Sequence, residues 1–152
     1  MTMTYNTMNK KEGFEEYMEK TLVLIKPDAV EKNIIGKIIS AYEENGLKII
    51  ALKMEKVDKG LAELHYAEHK GKSFYSNLIE FITRSSLCAL IVEGDNCIEK
   101  VRQINGATNP KQQKEGTIRK KYAKGITENC VHSSDSLESS NREIEIWFHD
   151  FK

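Results

Sequence analysis

Apolar residues in this chain alternate between short continuous runs and helix-spaced stripes, and that alternation lays out a succession of strands and helices. Thr21-Leu22-Val23-Leu24-Ile25 and Leu87-Cys88-Ala89-Leu90-Ile91-Val92 are nearly unbroken apolar runs with β-branched members, which predicts strands buried on both faces. Pro27 stops the first of them. Ile35, Ile38, Ile39 and Tyr42 recur at helical spacing and Gly46 supplies an end signal, so a helix is predicted over 36–45. Residues 47–57 read as a strand, Leu61, Leu64 and His65 as one helix, and Phe74, Leu78, Phe81 and Ile82 as another. Cys97, Val101 and Ile104 mark a further helix, after which periodicity lapses over 106–127, a loop long enough to suggest a functional role. A short strand at 129–132 leads to a last helix, with Asp135 and Glu138 spaced as a reciprocal cap and Leu137, Ile144 and Phe148 as its apolar side. The polar stretch 1–19 reads as a tail or short leading helix. This order predicts an α/β (α+β) sandwich of helices over one sheet.

At 152 residues and 39% hydrophobic, the chain fits one compact domain beginning near residue 20. Lys plus Arg and Asp plus Glu both count 23, so no bulk field draws it to nucleic acid or to an anionic membrane, and any anion site must be local. No apolar run approaches the roughly 20 residues of a membrane span, and no apolar leader is visible, so a soluble, cytoplasmic protein is expected. Cys88, Cys97 and Cys130 lack metal-ligand spacing and read as small buried hydrophobes in a reducing compartment.

His132, in Asn129-Cys130-Val131-His132-Ser133-Ser134-Asp135-Ser136, stands at a strand end, where a sheet can hold an imidazole rigidly against a ligand. Imidazole is a competent nucleophile at neutral pH without a separate base. Glu143, eleven residues on, can return on the last helix to fix its tautomer, although most such glutamates are simply solvated. Arg102, Thr108 and Arg119 could grip a polyphosphate, the plainer alternative being a solvated basic loop. Lys26 closes the first strand and can point into a cleft or to water, and Tyr66 and His69 share a helical face. Phe74 offers either a ring face to a ligand or a core contact. No GxxxxGK[ST] or GxGxxG pattern occurs, so phosphate would be held by side chains.

Taken together, Leu24-Ile25-Lys26-Pro27-Asp28, His65-Tyr66, Phe74, Thr108-Asn109-Pro110, Gly116-Thr117-Ile118-Arg119 and the segment from Asn129 to Ser136 resemble the nucleoside diphosphate kinase family in order and spacing, over about 20–148. The resemblance implies a ferredoxin-like βαββαβ core with a four-stranded antiparallel sheet covered by helices. It also implies ping-pong transfer of a γ-phosphate between nucleoside triphosphates and diphosphates through phosphohistidine. His132 then matches the nucleophile, and Glu143 and Ser134 its supports. Arg102, Thr108, Arg119, Tyr66 and His69 match phosphate-side contacts, Lys26 and Asn129 sugar and phosphate contacts, and Phe74, Leu78 and Ile126 a base clamp. An apolar clamp stacks without reading base edges, which implies broad base acceptance. Mg²⁺ is implied on the nucleotide phosphates, with Asp135 and Glu68 reaching it at most through water. A homo-oligomer is implied, hexamer or tetramer, with no membrane and no obligatory nucleic acid.

The chain departs from the family at Ser133, where glycine is usual, at Ala29 and Lys32 in place of Gly and Arg, at Ser85-Ser86 in place of Gly-Pro, and in ending at Lys152 without the longer tail of many eukaryotic members. If position 133 needed a positive φ, serine would strain it. Two other readings remain: a member that has lost turnover and acts as an interaction protein, and a nucleic-acid module using the basic loop 111–124.

Overall fold

The computed structural model describes residues 7–11 and 14–151, with side chains from Met18 onward. Its frame is an antiparallel sheet built on β2 (Phe14–Ile25), which pairs along one edge with β4 (Leu87–Asp95). β3 (Lys48–Glu55) pairs with the far side of β4. The other edge of β2 is shared: β1 (Thr7–Lys11) takes its first half and β5 (Val131–Ser133) its last three residues. Omitting β1, the order β5-β2-β4-β3 is the expected four-stranded antiparallel core.

Both sheet faces are buried, which explains why the central strands read as continuous apolar runs rather than alternating ones. Successive strand residues point to opposite faces. Val23, Ile25, Leu90 and Val92 pack with α1 (Pro27–Glu31), α2 (Ile35–Glu44) and α5 (Cys97–Asn105). Leu22, Leu24, Ala89 and Ile91 pack with α3 (Lys59–His65), α4 (Tyr75–Thr83) and α7 (Leu137–Trp147).

Four sequence expectations are corrected. The leading segment, where described, is extended rather than helical, and Met18 and Glu19 are already inside β2. Glu19 is buried and its Oε2 accepts the Ile98 N–H at 3.0 Å, so it satisfies an orphan donor at the start of α5. The loop 106–127 contains a 3₁₀ turn (Pro110–Gln112) and α6 (Ile118–Tyr122), too short a helix, with Ile118 its only fully buried apolar residue and Tyr122 partly packed, to show a clear periodicity. Finally, α7 is capped by Ser136, whose hydroxyl accepts the Ser139 N–H, one residue beyond the expected Asp135; its buried side is Ile144 and Trp147, with Leu137 exposed. Cys88, Cys97 and Cys130 are free and buried, as expected.

Gly106 is where this loop must start with a positive φ, +90°. A Cβ there would sit 2.6 Å from the Thr117 hydroxyl, the side chain that caps α6. Gly106→Ala combines left-handed strain with a clash, and a loss of about 2–3 kcal/mol is expected from a urea melt; an unchanged midpoint contradicts the constraint.

Candidate active site

His132 lies in the middle of β5, opposite Leu24, and the three-residue strand is pinned just upstream. The Lys26 N–H donates to the Cys130 carbonyl at 2.8 Å, and the Cys130 N–H donates to Asp28 Oδ2 at 3.0 Å. Cys130 itself is held at φ +73°, a left-handed conformation that a side-chain-bearing residue adopts at a cost of about 1–2 kcal/mol. The Lys-Pro-Asp corner therefore clamps the strained residue that aims β5.

Around the imidazole the hydrogen bonds form one chain. His132 Nε2–H donates to Glu143 Oε1 at 2.9 Å, and the Ser134 hydroxyl donates to the same oxygen at 2.8 Å. The Leu22 N–H in turn donates to Ser134 Oγ at 3.3 Å. Glu143 is buried, with Arg142 at 3.6 Å from its other oxygen, so its charge is matched by donors rather than by water. With Nε2 engaged as donor, the lone pair of His132 Nδ1 is the nucleophilic position. His132 is partly exposed and reachable.

The cations form an underscreened group. Lys26 is buried, donates to the Thr127 carbonyl at 3.3 Å, and has its ammonium pKa pushed down to about 8 by burial and then by Arg119. Burial, and more weakly Arg102, likewise lower the Arg119 guanidinium. Such mutual repulsion makes an arriving anion favourable. Arg119 is tied more tightly than a pure phosphate ligand would be: it donates to the carbonyls of Gly106, Asn129 and Val131 at 2.6, 3.3 and 2.7 Å. It thus joins the loop to β5 as well as supplying charge. Arg102 and Thr108 are exposed, Arg102 donating to the Asp135 carbonyl at 3.2 Å. Tyr66 is buried and its phenol is pushed up to about 12 by burial and by Glu143, so it is a neutral donor.

On the apolar side, Phe74 and Ile126 are exposed while Leu78 packs partly into the core. His69 lies beside both Tyr66 and Phe74, with ring centroids 6.0 and 5.5 Å away, though it stands on a 3₁₀ turn (Ala67–His69) rather than on the expected shared helix. Asn129 donates to the Ile126 carbonyl at 2.8 Å, and its buried Oδ1 has no partner.

The departures from the family are accommodated. Ser133 is paired with Val23 and the positive φ falls at Cys130, so serine introduces no left-handed strain. Its hydroxyl accepts from Asn105 Nδ2 at 3.1 Å, and Asn105 Oδ1 accepts from the buried Tyr42 hydroxyl at 2.6 Å. Ala29 is fully buried, Lys32 donates to the Tyr122 carbonyl at the end of α6, and Ser85 joins Arg84 on Glu31.

For metals, the convergent set among the described residues is His65, His132 and Glu143, whose ligand atoms lie within 4.8 Å of one another. Two imidazoles are poor partners for hard Mg²⁺, which would enter on its own phosphate ligand. Asp135 fits an outer role, since hydrogen bonds from Ser139 and Ser136 hold its carboxyl below the usual range; Glu68 is exposed, 3.8 Å from His69. Sequence reasoning missed His65, Trp147 and Asp28 as site residues. Of these, His65 carried a usable signal, in directly preceding Tyr66.

The nucleoside diphosphate kinase family model matches residues 19–152. A nucleoside diphosphate kinase of Clostridium perfringens is 56% identical over 131 residues, covering 86% of this chain and 92% of that protein. One from Pyrococcus abyssi is 50% identical over 139 residues, covering 90% and 87%. In the solved structures, the Aquifex aeolicus nucleoside diphosphate kinase matches with a TM-score of 0.83 at 34% identity, covering 86% of this chain and 95% of that one. No helix among the described residues is long and apolar enough to cross a membrane. Fold, extent of match and identity agree: this chain belongs to the nucleoside diphosphate kinase family of phosphotransferases.

Proposed function

We propose that this chain transfers the γ-phosphate of a nucleoside triphosphate to a nucleoside diphosphate by a ping-pong mechanism through a phosphohistidine on His132. The observation that carries the reading is the bond from His132 Nε2 to the buried Glu143, which leaves Nδ1 as the attacking atom. Nδ1 attacks the γ-phosphorus, the bond to the bridging oxygen breaks, and the diphosphate leaves; the second diphosphate then attacks the phosphohistidine and restores Nδ1. Charge grows on the phosphoryl oxygens in flight, and fixed cations and donors stabilise it without reorganising. Lys26, Arg102, Thr108, Arg119, Tyr66 and His69 are assigned to the phosphates, and Lys26 and Asn129 to the sugar hydroxyls. Mg²⁺ carried in on the nucleotide would neutralise phosphate charge, and Asp135 or Glu68 would hold it at most through water.

Phe74, Leu78 and Ile126 present apolar surface without an edge-reading donor, which supports acceptance of any base. Exposed Leu52 and Met54 on the outer strand β3 support self-association into a hexamer or tetramer. Residues 20–152 form the kinase domain in this reading, 1–19 an extension, and the working compartment is the cytoplasm. Incubation with γ-labelled ATP should place acid-labile, base-stable label on His132 that any nucleoside diphosphate discharges; absence of label would instead favour a nucleotide-binding relic.

His132→Ala is expected to abolish exchange. Glu143→Ala should slow turnover by about 10–100-fold with nucleotide affinity nearly unchanged, as for loss of a ligand-orienting partner; equal losses in both would contradict the orienting role. Lys26 is charged below pH 8 and neutral above it. Nucleotide affinity should therefore weaken by about tenfold between pH 7.5 and 9 by proton linkage, and titration calorimetry on Lys26→Met should show weak binding without that limb. A wild-type affinity flat across this range would remove Lys26 from the phosphate contacts.

A further inference from the structure

His65 is buried directly behind His132, and its ring is boxed by three others. Its centroid lies 4.6 Å from His132 at 83°, 4.7 Å from Tyr66 at 68° and 5.5 Å from Trp147 at 75°. The buried Trp147 indole donates its Nε1–H to His65 Nδ1 at 3.1 Å. An indole N–H can only donate, so Nδ1 must keep its lone pair, and in the neutral ring the proton sits on Nε2. Burial first, then the neighbouring His132, Arg142, Lys26 and His69, hold the His65 pKa well below the ordinary histidine range.

This bond decides the fate of the trio His65, His132 and Glu143. By ligand type, two imidazoles and a carboxylate are a zinc set. Coordination needs a ring nitrogen with a free lone pair. In His65 one lone pair is engaged by Trp147 and the other nitrogen carries the proton, so the residue can neither ligate nor accept a proton from His132.

We propose that His65 is a positioning residue for His132, locked by Trp147 as the neutral Nε2–H tautomer. Its edge-to-face packing sets the His132 ring, and its lack of a free lone pair closes the trio to transition metals. Glu143 is thereby left as the proton partner of the reacting imidazole. The inference builds on His132 being the phosphoryl carrier, but its primary test does not use activity.

Long-range ¹H–¹⁵N correlation spectra of the full chain should show His65 as a single Nε2–H tautomer from pH 6 to 9; a protonated Nδ1 or a tautomer mixture overturns the lock. Trp147→Phe keeps an aromatic ring and removes the donor. Calorimetric titration with Zn²⁺ should show at least tenfold tighter binding to Trp147→Phe than to wild type, lost again in Trp147→Phe/His65→Gln; equal binding by the first two overturns the metal exclusion. His65→Gln, which retains an N–H, should turn over at least about tenfold faster than His65→Leu at similar KM, in the range for orienting partners. Equal rates overturn the positioning role. A wild-type chain that forms no phosphohistidine yet shows the locked tautomer refutes the proposed function and leaves the lock standing.

Discussion

The site depends on a seam only three residues long. β5 pairs with the last three residues of β2, and nothing in its own sequence would make Val131-His132-Ser133 a stable strand. What fixes it is the corner upstream: Cys130 in a left-handed conformation, its N–H on Asp28 and its carbonyl on the Lys26 N–H. Arg119 adds two donors to the carbonyls of Asn129 and Val131. Strain of this kind persists only where surrounding contacts overdetermine the backbone, and here those contacts come from two separate segments, the Lys26–Asp28 corner and Arg119 of α6. The imidazole is thus aimed by the backbone before its own hydrogen bond is made.

From that seam outward, each neighbour of His132 has one polarity imposed on it. Glu143 accepts from His132 and Ser134 on one oxygen, and Ser134 can donate because its own acceptor capacity is met by Leu22. Tyr66 is kept protonated, and Lys26 is kept close to its titration point by burial among other cations. In the proposed reaction these groups are the donors for arriving negative charge, while the Glu143 carboxylate is held on the Nε2 side of the ring. A site arranged this way before its ligand enters has little reorganisation left to do during transfer.

Much of the fold was legible because the sheet core is written in local patterns. Thr21 to Ile25 and Leu87 to Val92 show a strand buried on both faces, and Ile35 to Tyr42 show one helical stripe. The segments misread were those whose order comes from distant partners. Ile118 is the one fully buried apolar residue of α6, with Tyr122 only partly packed on the same core, and the helix is held by the Thr117 cap and by Arg119 reaching three carbonyls. Glu19 looked like part of a polar tail because its partner, the Ile98 amide, lies 79 positions away. In the site, His132 and Glu143 could be paired from sequence, since a strand-to-helix reversal is a short-range event. Asp28 and Trp147 could not, because their roles are hydrogen bonds across 102 and 82 positions.

Which nitrogen of His132 is free to react decides the proposed transfer. The most direct measurement is ³¹P and ¹⁵N NMR of uniformly ¹⁵N-labelled chain, exposed to ATP and magnesium and freed of nucleotide. A single phosphorus coupled to Nδ1 of His132, with Nε2 still bearing its proton toward Glu143, is the predicted result. Phosphorus on Nε2, or on another residue, would contradict it.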